Sequence, residues 1–167
     1  TPTVDLPPYD PSCYLCPHNE RAGGLRNPDY ESTFVFDNDF SALLPDQTIA
    51  HASEHPLLVS VPERGLCRVV CFSPRHDLTL PELDNASIEN VINTWTEQTI
   101  DLGKKDFIHY VQVFENKGAM MGCSNPHPHS QVWGTEHIPT EPAKELDNQK
   151  AYFNENGRTL LSDYLSE

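Results

Sequence analysis

Hydrophobic and polar residues along the chain predict a set of short strands around one long helix. "STFVFDND" alternates and then breaks into a polar turn, which predicts a strand. "HPLLVSVPE" and "CRVVCFSP" are apolar, β-branched runs bounded by Pro and Gly, and they predict a second and a third strand. The intervening "ERG" suggests a hairpin. Ile88, Val91, Ile92, Trp95 and Leu102 recur at helical spacing after "DNAS", which offers N-caps, and the helix should end near Gly103. "FIHYVQVFEN" alternates again, and "HPHSQVWG" reads as a strand that pairs back on it. Between them, "KGAMMGCSN" is a turn-rich loop. The first 32 residues read as loop, and the polar tail is helical from Pro142 to about Phe153. The final "LLSDYLSE" has an amphipathic pattern. The order predicts an α+β domain, an antiparallel sheet with a long helix on one face.

Composition narrows the function classes. A chain of 167 residues is one domain, or one and a small appendage, and the 15 prolines favour ordered loops over a helical bundle. The net charge of −14 argues against a nucleic-acid or acidic-membrane surface, which needs clustered Lys and Arg. An anionic small molecule remains allowed, because local dipoles and a metal can dominate inside a pocket. No apolar run is long enough to span a bilayer, and the N-terminus lacks the features of a signal peptide. It also lacks an initiator methionine, which suggests a piece of a longer chain. Five cysteines, an odd number, do not suggest a closed disulfide framework and favour the reducing cytoplasm.

Two clusters carry candidate chemistry. Cys13 and Cys16 form a C-x-x-C pair in loop surroundings, which favours a tetrahedral metal site over a redox pair. Two further ligands must come from the eight histidines, and spacing alone does not choose among them. His76, at a strand end, and His127, opening "HPH", are candidates. In the second cluster, strand geometry puts His127, His129 and Gln131 on one side, with Pro128 and Ser130 on the other. Backbone N–H groups of "GAMMGCSN" can form an anion nest, to which Ser124 and Asn125 add side-chain donors. An imidazole with one nitrogen unprotonated is a competent nucleophile toward phosphorus. Gln131 cannot protonate a poor leaving group, but it can stabilise charge on a phosphoryl oxygen. The residue types therefore suit transfer of a nucleotidyl group away from a phosphate. Cys123, a rival nucleophile, has no evident orienting partner.

"CYLCP", "FVFDNDF", "CFSPRHDLTLPEL", "FENKGAMMGCSNPHPHSQVWG" and "EPAKE" resemble, in order, the galactose-1-phosphate uridylyltransferase family of the histidine triad superfamily. The resemblance implies a histidine-triad-like fold for residues 1–167, corresponding to the N-terminal of that family's two related domains. The family's opening basic segment and its C-terminal domain are not recognised in this sequence. It implies zinc held by Cys13, Cys16, His76 and His127, and His129 as the nucleophile that becomes uridylylated. It implies phosphate contacts from Ser124 and Gln131, with Asn116 and Gly122 beside them. Phe36, Asn38, Asp39 and Phe40 match the nucleoside pocket, and Leu15 and Val69 the apolar contacts to uracil. Glu145 matches a carboxylate that helps bind iron in some members. The implied reaction is ping-pong: UDP-glucose gives its uridylyl group to the histidine, and galactose-1-phosphate then takes it to give UDP-galactose. A cytoplasmic homodimer is the implied assembly. The alternatives are a histidine-triad hydrolase or phosphorylase, and a non-catalytic zinc-stabilised module.

Overall fold

A computed structural model of the chain describes residues 6–46, 55 and 57–167. They fall into two compact units, Thr1–Glu136 and His137–Glu167. The first unit holds strands β1 (Phe34–Asp37), β2 (Gly65–Cys71), β3 (Tyr110–Phe114) and β4 (His129–Thr135), with helix α1 (Asn85–Gly103) between β2 and β3. The sheet order is β1-β2-β4-β3, and every neighbouring pair is antiparallel. This is the α+β arrangement expected from the hydrophobic pattern.

Register assigns the two faces. Val35 pairs with Val70, Val70 with Ser130, and Val113 with Val132. Val70 and Val132 pack with Leu102 of α1 and Ile108 into one buried cluster, flanked by Trp95. One residue along each strand, the opposite face carries Phe36, Val69, Cys71, His129 and Gln131. There, Val69 and Cys71 join Cys13, Leu15, Cys16 and Tyr30 in a second cluster. The N-terminal loop covers this face, as α1 covers the other.

Helix α1 begins where "DNAS" predicts: Asp84 is the N-cap, and its carboxylate accepts the Ser87 N–H at 2.7 Å. Val91 and Leu102 of the predicted stripe are buried, but Ile92 lies outside it and is 49% exposed. The second predicted strand does not form. His55 and residues 57–61 are exposed and Pro62 and Glu63 half-buried, with Leu57, Leu58, Val59 and Val61 in solvent and no ladder pairing. β-Propensity describes fit to a half-buried pleated surface, and this run meets none. Pro62 also removes a ladder donor. Consequently "ERG" is no hairpin, and β2 takes β1 and β4 as its neighbours instead.

The second unit contains α2 (Thr140–Asn156) and α3 (Leu160–Tyr164). Gly157, at φ 67°, ends α2 in the left-handed conformation, and its N–H reaches the Phe153 carbonyl at 2.8 Å. No described helix is long and apolar enough to cross a membrane.

A buried Cys2His2 cluster beside a histidine-lined cavity

Consecutive turns shape the C-x-x-C loop: Cys13 N–H bonds Asp10 O, Cys16 N–H bonds Cys13 O, and Asn19 N–H bonds Cys16 O. Two asparagines tie it from within. Asn19 Nδ2 donates to the carbonyls of Asp10 and Cys13. Asn27 Nδ2, in a residue 3% exposed, donates to those of Tyr14 and Cys16. Both sulfurs therefore point inward, where His76 and His127 meet them.

Ligand-capable atoms of Cys13, Cys16, His76 and His127 all lie within 4.8 Å of one another, and all four residues are buried. Cys16 Sγ is 3.5 Å from His76 Nδ1 and 3.4 Å from His127 Nδ1. A tetrahedral zinc, with Zn–S of about 2.3 Å and Zn–N of about 2.0 Å, places sulfur and nitrogen roughly 3.5 Å apart. The donor set thus fits a closed zinc site, and two thiolates with two neutral imidazoles give it zero net charge. The His127 tautomer agrees. Its Nε2 lies 3.0 Å from the Ser73 carbonyl, which can only accept, so Nε2 carries the proton and Nδ1 presents its lone pair to the cluster. Burial above all holds the His127 pKa down to about 4, although the Ser73 carbonyl opposes that shift. Burial likewise pushes the Cys16 thiol up to about 11, so metal binding must displace its proton.

His127 precedes β4 rather than lying in it, so alternation within a strand does not set its direction. Its backbone N–H donates to Asn125 Oδ1 at 2.9 Å, and its ring packs edge-on to that of His76. His129 opens the strand. Its Nδ1 lies 2.8 Å from the His127 carbonyl, an obligatory acceptor. The neutral His129 ring is therefore protonated at Nδ1 and free at Nε2. One residue's backbone fixes the tautomer of the next imidazole, while its own ring faces the Cys2His2 cluster.

His129 lines a cavity of about 230 Å³ together with Tyr14, Leu15, Phe36, Asn38, Asp39, Phe40, Val69, Ser124 and Gln131. The structure thus brings together most of the expected contacts. Phe36 and Val69 also belong to the packing of that face, so they serve as wall and core at once. Phe40 is 78% exposed and forms a lip. Asn38 makes a local turn, with Oδ1 accepting the Phe40 N–H at 3.0 Å. Gln131 Oε1 accepts from Trp133 Nε1 at 2.9 Å.

Other expected residues lie elsewhere. Asn116 and Gly122 are exposed and do not line this cavity. Gly122, at φ 81°, closes a 3-10 turn over Ala119–Met121. The N–H groups of Met121, Gly122 and Cys123 bond carbonyls of their own loop, so these three do not form the expected anion nest. Cys123 Sγ is engaged with the Asn125 carbonyl at 2.8 Å. Glu145 is exposed on α2, in the second unit, and is not one of the four clustered ligand residues.

Some contributors escape a reading of the sequence. Arg21 Nη1 grips both Asp39 oxygens, at 2.8 and 2.9 Å, and its guanidinium sits 3.9 Å from the centroid of the Phe36 ring. It therefore braces two cavity residues. Tyr30 donates its hydroxyl proton to the Leu15 carbonyl at 2.7 Å. "AGG" beside Arg21 reads only as a turn, and nothing local announces either contact.

Comparison with known proteins follows this geometry. The family model described as galactose-1-phosphate uridyl transferase, N-terminal domain, matches residues 1–139. The galactose-1-phosphate uridylyltransferase of Haemophilus influenzae is 52% identical over 95% of this chain and 45% of its own length. That of Rattus norvegicus is 47% identical over 95% of this chain and 41% of its own. The chain thus spans less than half the length of these relatives. Among solved structures, a uridylyltransferase superposes with a TM-score of 0.79 at 23% identity, over 98% of this chain and 52% of that one, which supports the fold. An ADP-glucose phosphorylase from Arabidopsis thaliana, with bound ADP-glucose, gives 0.68 at 25% identity, over 94% and 49%. By the family model and these relatives together, the chain belongs to the galactose-1-phosphate uridyl transferase family and carries its N-terminal domain.

Proposed function

We propose that this site transfers a uridylyl group from UDP-glucose to galactose-1-phosphate through a covalent uridylyl-His129. The observation that carries the reading is the 2.8 Å bond from His129 Nδ1 to the His127 carbonyl, which leaves Nε2 as the lone-pair nitrogen of a cavity-lining ring. Nε2 attacks the α-phosphorus. A P–N bond forms, the bond from that phosphorus to the bridging oxygen breaks, and the electron pair leaves on glucose-1-phosphate. A phosphate leaving group needs no proton, so a glutamine at position 131 is sufficient where an acid would otherwise be required. Galactose-1-phosphate then attacks the same phosphorus and returns the electron pair to Nε2. Positive charge on the ring in the intermediate is offset by the Nδ1–H bond to the His127 carbonyl.

Ser124 and Gln131 contact phosphoryl oxygens in this reading, and Asn116 and Gly122 act as a loop beside them. Phe36, Asn38, Asp39, Phe40, Leu15 and Val69 hold the nucleoside. Zinc on Cys13, Cys16, His76 and His127 supplies structural charge balance that ties the loop to the start of β4. Glu145 belongs to a second, iron-binding site completed outside this segment. The whole protein is a cytoplasmic homodimer.

The test is incubation of the full-length, metal-loaded protein with UDP-glucose, followed by mass spectrometry for an acid-labile uridylyl adduct. The adduct is expected on wild type and absent from His129→Ala. An adduct that survives His129→Ala contradicts the assignment. Loss of UDP-glucose without a hexose-1-phosphate acceptor would favour a hydrolase or phosphorylase. Metal binding with no thermal shift on adding UDP would favour a zinc-stabilised module.

A further inference from the structure

The alternation that puts His129 and Gln131 on one face of β4 continues to Trp133. Trp133 does not line the cavity, yet its Nε1 lies 2.9 Å from Gln131 Oε1. An indole N–H can only donate, so the carboxamide has one allowed orientation. Its oxygen faces the indole, and the two N–H donors of Nε2 are the end left for the cavity. Flipped, the amide would set N–H against N–H at the indole and turn a carbonyl dipole toward an incoming phosphate, an arrangement that repels on both sides. Trp133 is itself held, half-buried, with its ring edge-on to Phe114 at 5.5 Å between centroids and 75° between planes. Phe114 lies opposite Gln131 on β3, so the bracing and the braced residue share one register.

We propose that Trp133 is a positioning residue that locks the Gln131 carboxamide with its N–H donors toward the phosphoryl group. This rests on the reading of the cavity as a uridylyl site and deepens it by assigning the donor end of Gln131. The lock matters because a free amide spends part of its time presenting the wrong end, and a preorganised donor costs no reorientation when charge develops on the phosphoryl oxygen.

The experiment compares UMP with uridine, which differ only by the phosphate, using calorimetric titration of the full-length, metal-loaded protein. The proteins are wild type, Trp133→Phe, Trp133→His, Gln131→Ala and the Trp133→Phe/Gln131→Ala double variant. Phenylalanine keeps the packing on Phe114 and deletes the donor, while histidine restores a ring N–H. Wild type should prefer UMP, and Trp133→Phe should shrink that preference roughly tenfold, the size expected for one charge-assisted hydrogen bond. Uridine affinity should change by less than about twofold, and Trp133→His should recover part of the loss. The double variant should be no worse than Gln131→Ala, because both remove the same contact. Metal content and thermal midpoint are measured on every variant to exclude a folding defect.

The proposal is overturned if Trp133→Phe keeps the full preference, if the two single losses add in the double variant, or if wild type shows no preference for UMP. Failure of the transferase reading is separately visible, as absence of a uridylyl adduct on wild type, and leaves the UMP and uridine comparison intact as the test of Trp133.

Discussion

The two faces of the sheet solve the same covering problem in different ways. On one, α1 lays Trp95 and Leu102 over Val70 and Val132, and burial of apolar surface holds the layer. On the other, the cover is the irregular N-terminal loop, rich in Pro and Asn, which adds Leu15 and Tyr30 to the buried cluster. Its hold comes from Asn19, Asn27, Tyr30 and the inward-pointing Cys13, Cys16, His76 and His127. The lesson is that a face left without a helix can be closed around a buried cluster of metal-ligating side chains and still keep an open cavity at its edge. The catalytic candidates sit there, on the side where cover is local and polar. The β4 residues divide accordingly: Ser130 and Val132 belong to the helix side, His129 and Gln131 to the cavity.

The division can be broken most forcefully at the metal. Chelation, or Cys16→Ser, should abolish tight zinc binding and release the N-terminal loop, with a loss of about 5 kcal/mol or more, given the size of structural zinc contributions. Circular dichroism should still report the α1 helix, while UMP binding disappears. UMP binding retained after zinc loss would refute the claim that the metal closes this face.

Leu102→Ala attacks the other side. Leu102 is fully buried, and truncation at such sites costs about 3 kcal/mol. Denaturant unfolding should show that loss, with zinc stoichiometry and uridine affinity unchanged. A parallel drop in zinc affinity would mean that the faces are coupled.

Between about pH 6.5 and 4, acid should act through His127 on the face that the N-terminal loop covers. Above pH 6.5, His127 is neutral in both folded and unfolded chains, and its burial carries no pH-dependent penalty. As pH falls from about 6.5 toward 4, the unfolded ring takes up a proton that the folded ring refuses, its pKa being held near 4 by burial. Metal-free protein should therefore lose stability at about 1.4 kcal/mol per pH unit from this group, about 3 kcal/mol in all. The loss should be much reduced in His127→Gln. An identical slope in that variant would remove His127 as the cause.

The smallest effect is expected at Ser130, where Trp95 Nε1 donates to Oγ at 2.8 Å beneath β4. Ser130→Ala leaves a part-buried indole N–H unpaired, at a cost of about 1 kcal/mol. Trp95 fluorescence should shift, with little change in adduct formation.

Much of this division was legible in the sequence. Alternation located β1, β3 and β4, periodicity located α1 with its Asp84 cap, and C-x-x-C pointed to the buried cluster that could hold a metal. The run 55–63 was misleading because hydrophobic content shows strand-forming capacity without showing whether an edge is free to pair. The partners of Cys16 could not be chosen from spacing, since His76 and His127 are 60 and 111 residues away and meet it only once the sheet is formed. Resemblance to the family supplied that choice. Arg21 against Phe36 and Trp133 beside Gln131 were hidden for a related reason: each touches another side chain and neither lines the cavity.

The central claim is that His129 offers Nε2, and only Nε2, to phosphorus. It is tested most directly on full-length protein carrying ¹⁵N-labelled histidine, treated with UDP-glucose and read by ³¹P–¹⁵N correlation. The account predicts a single phosphoramidate bonded to His129 Nε2, with Nδ1 still protonated. A bond to Nδ1, or to any ring other than His129, would contradict it.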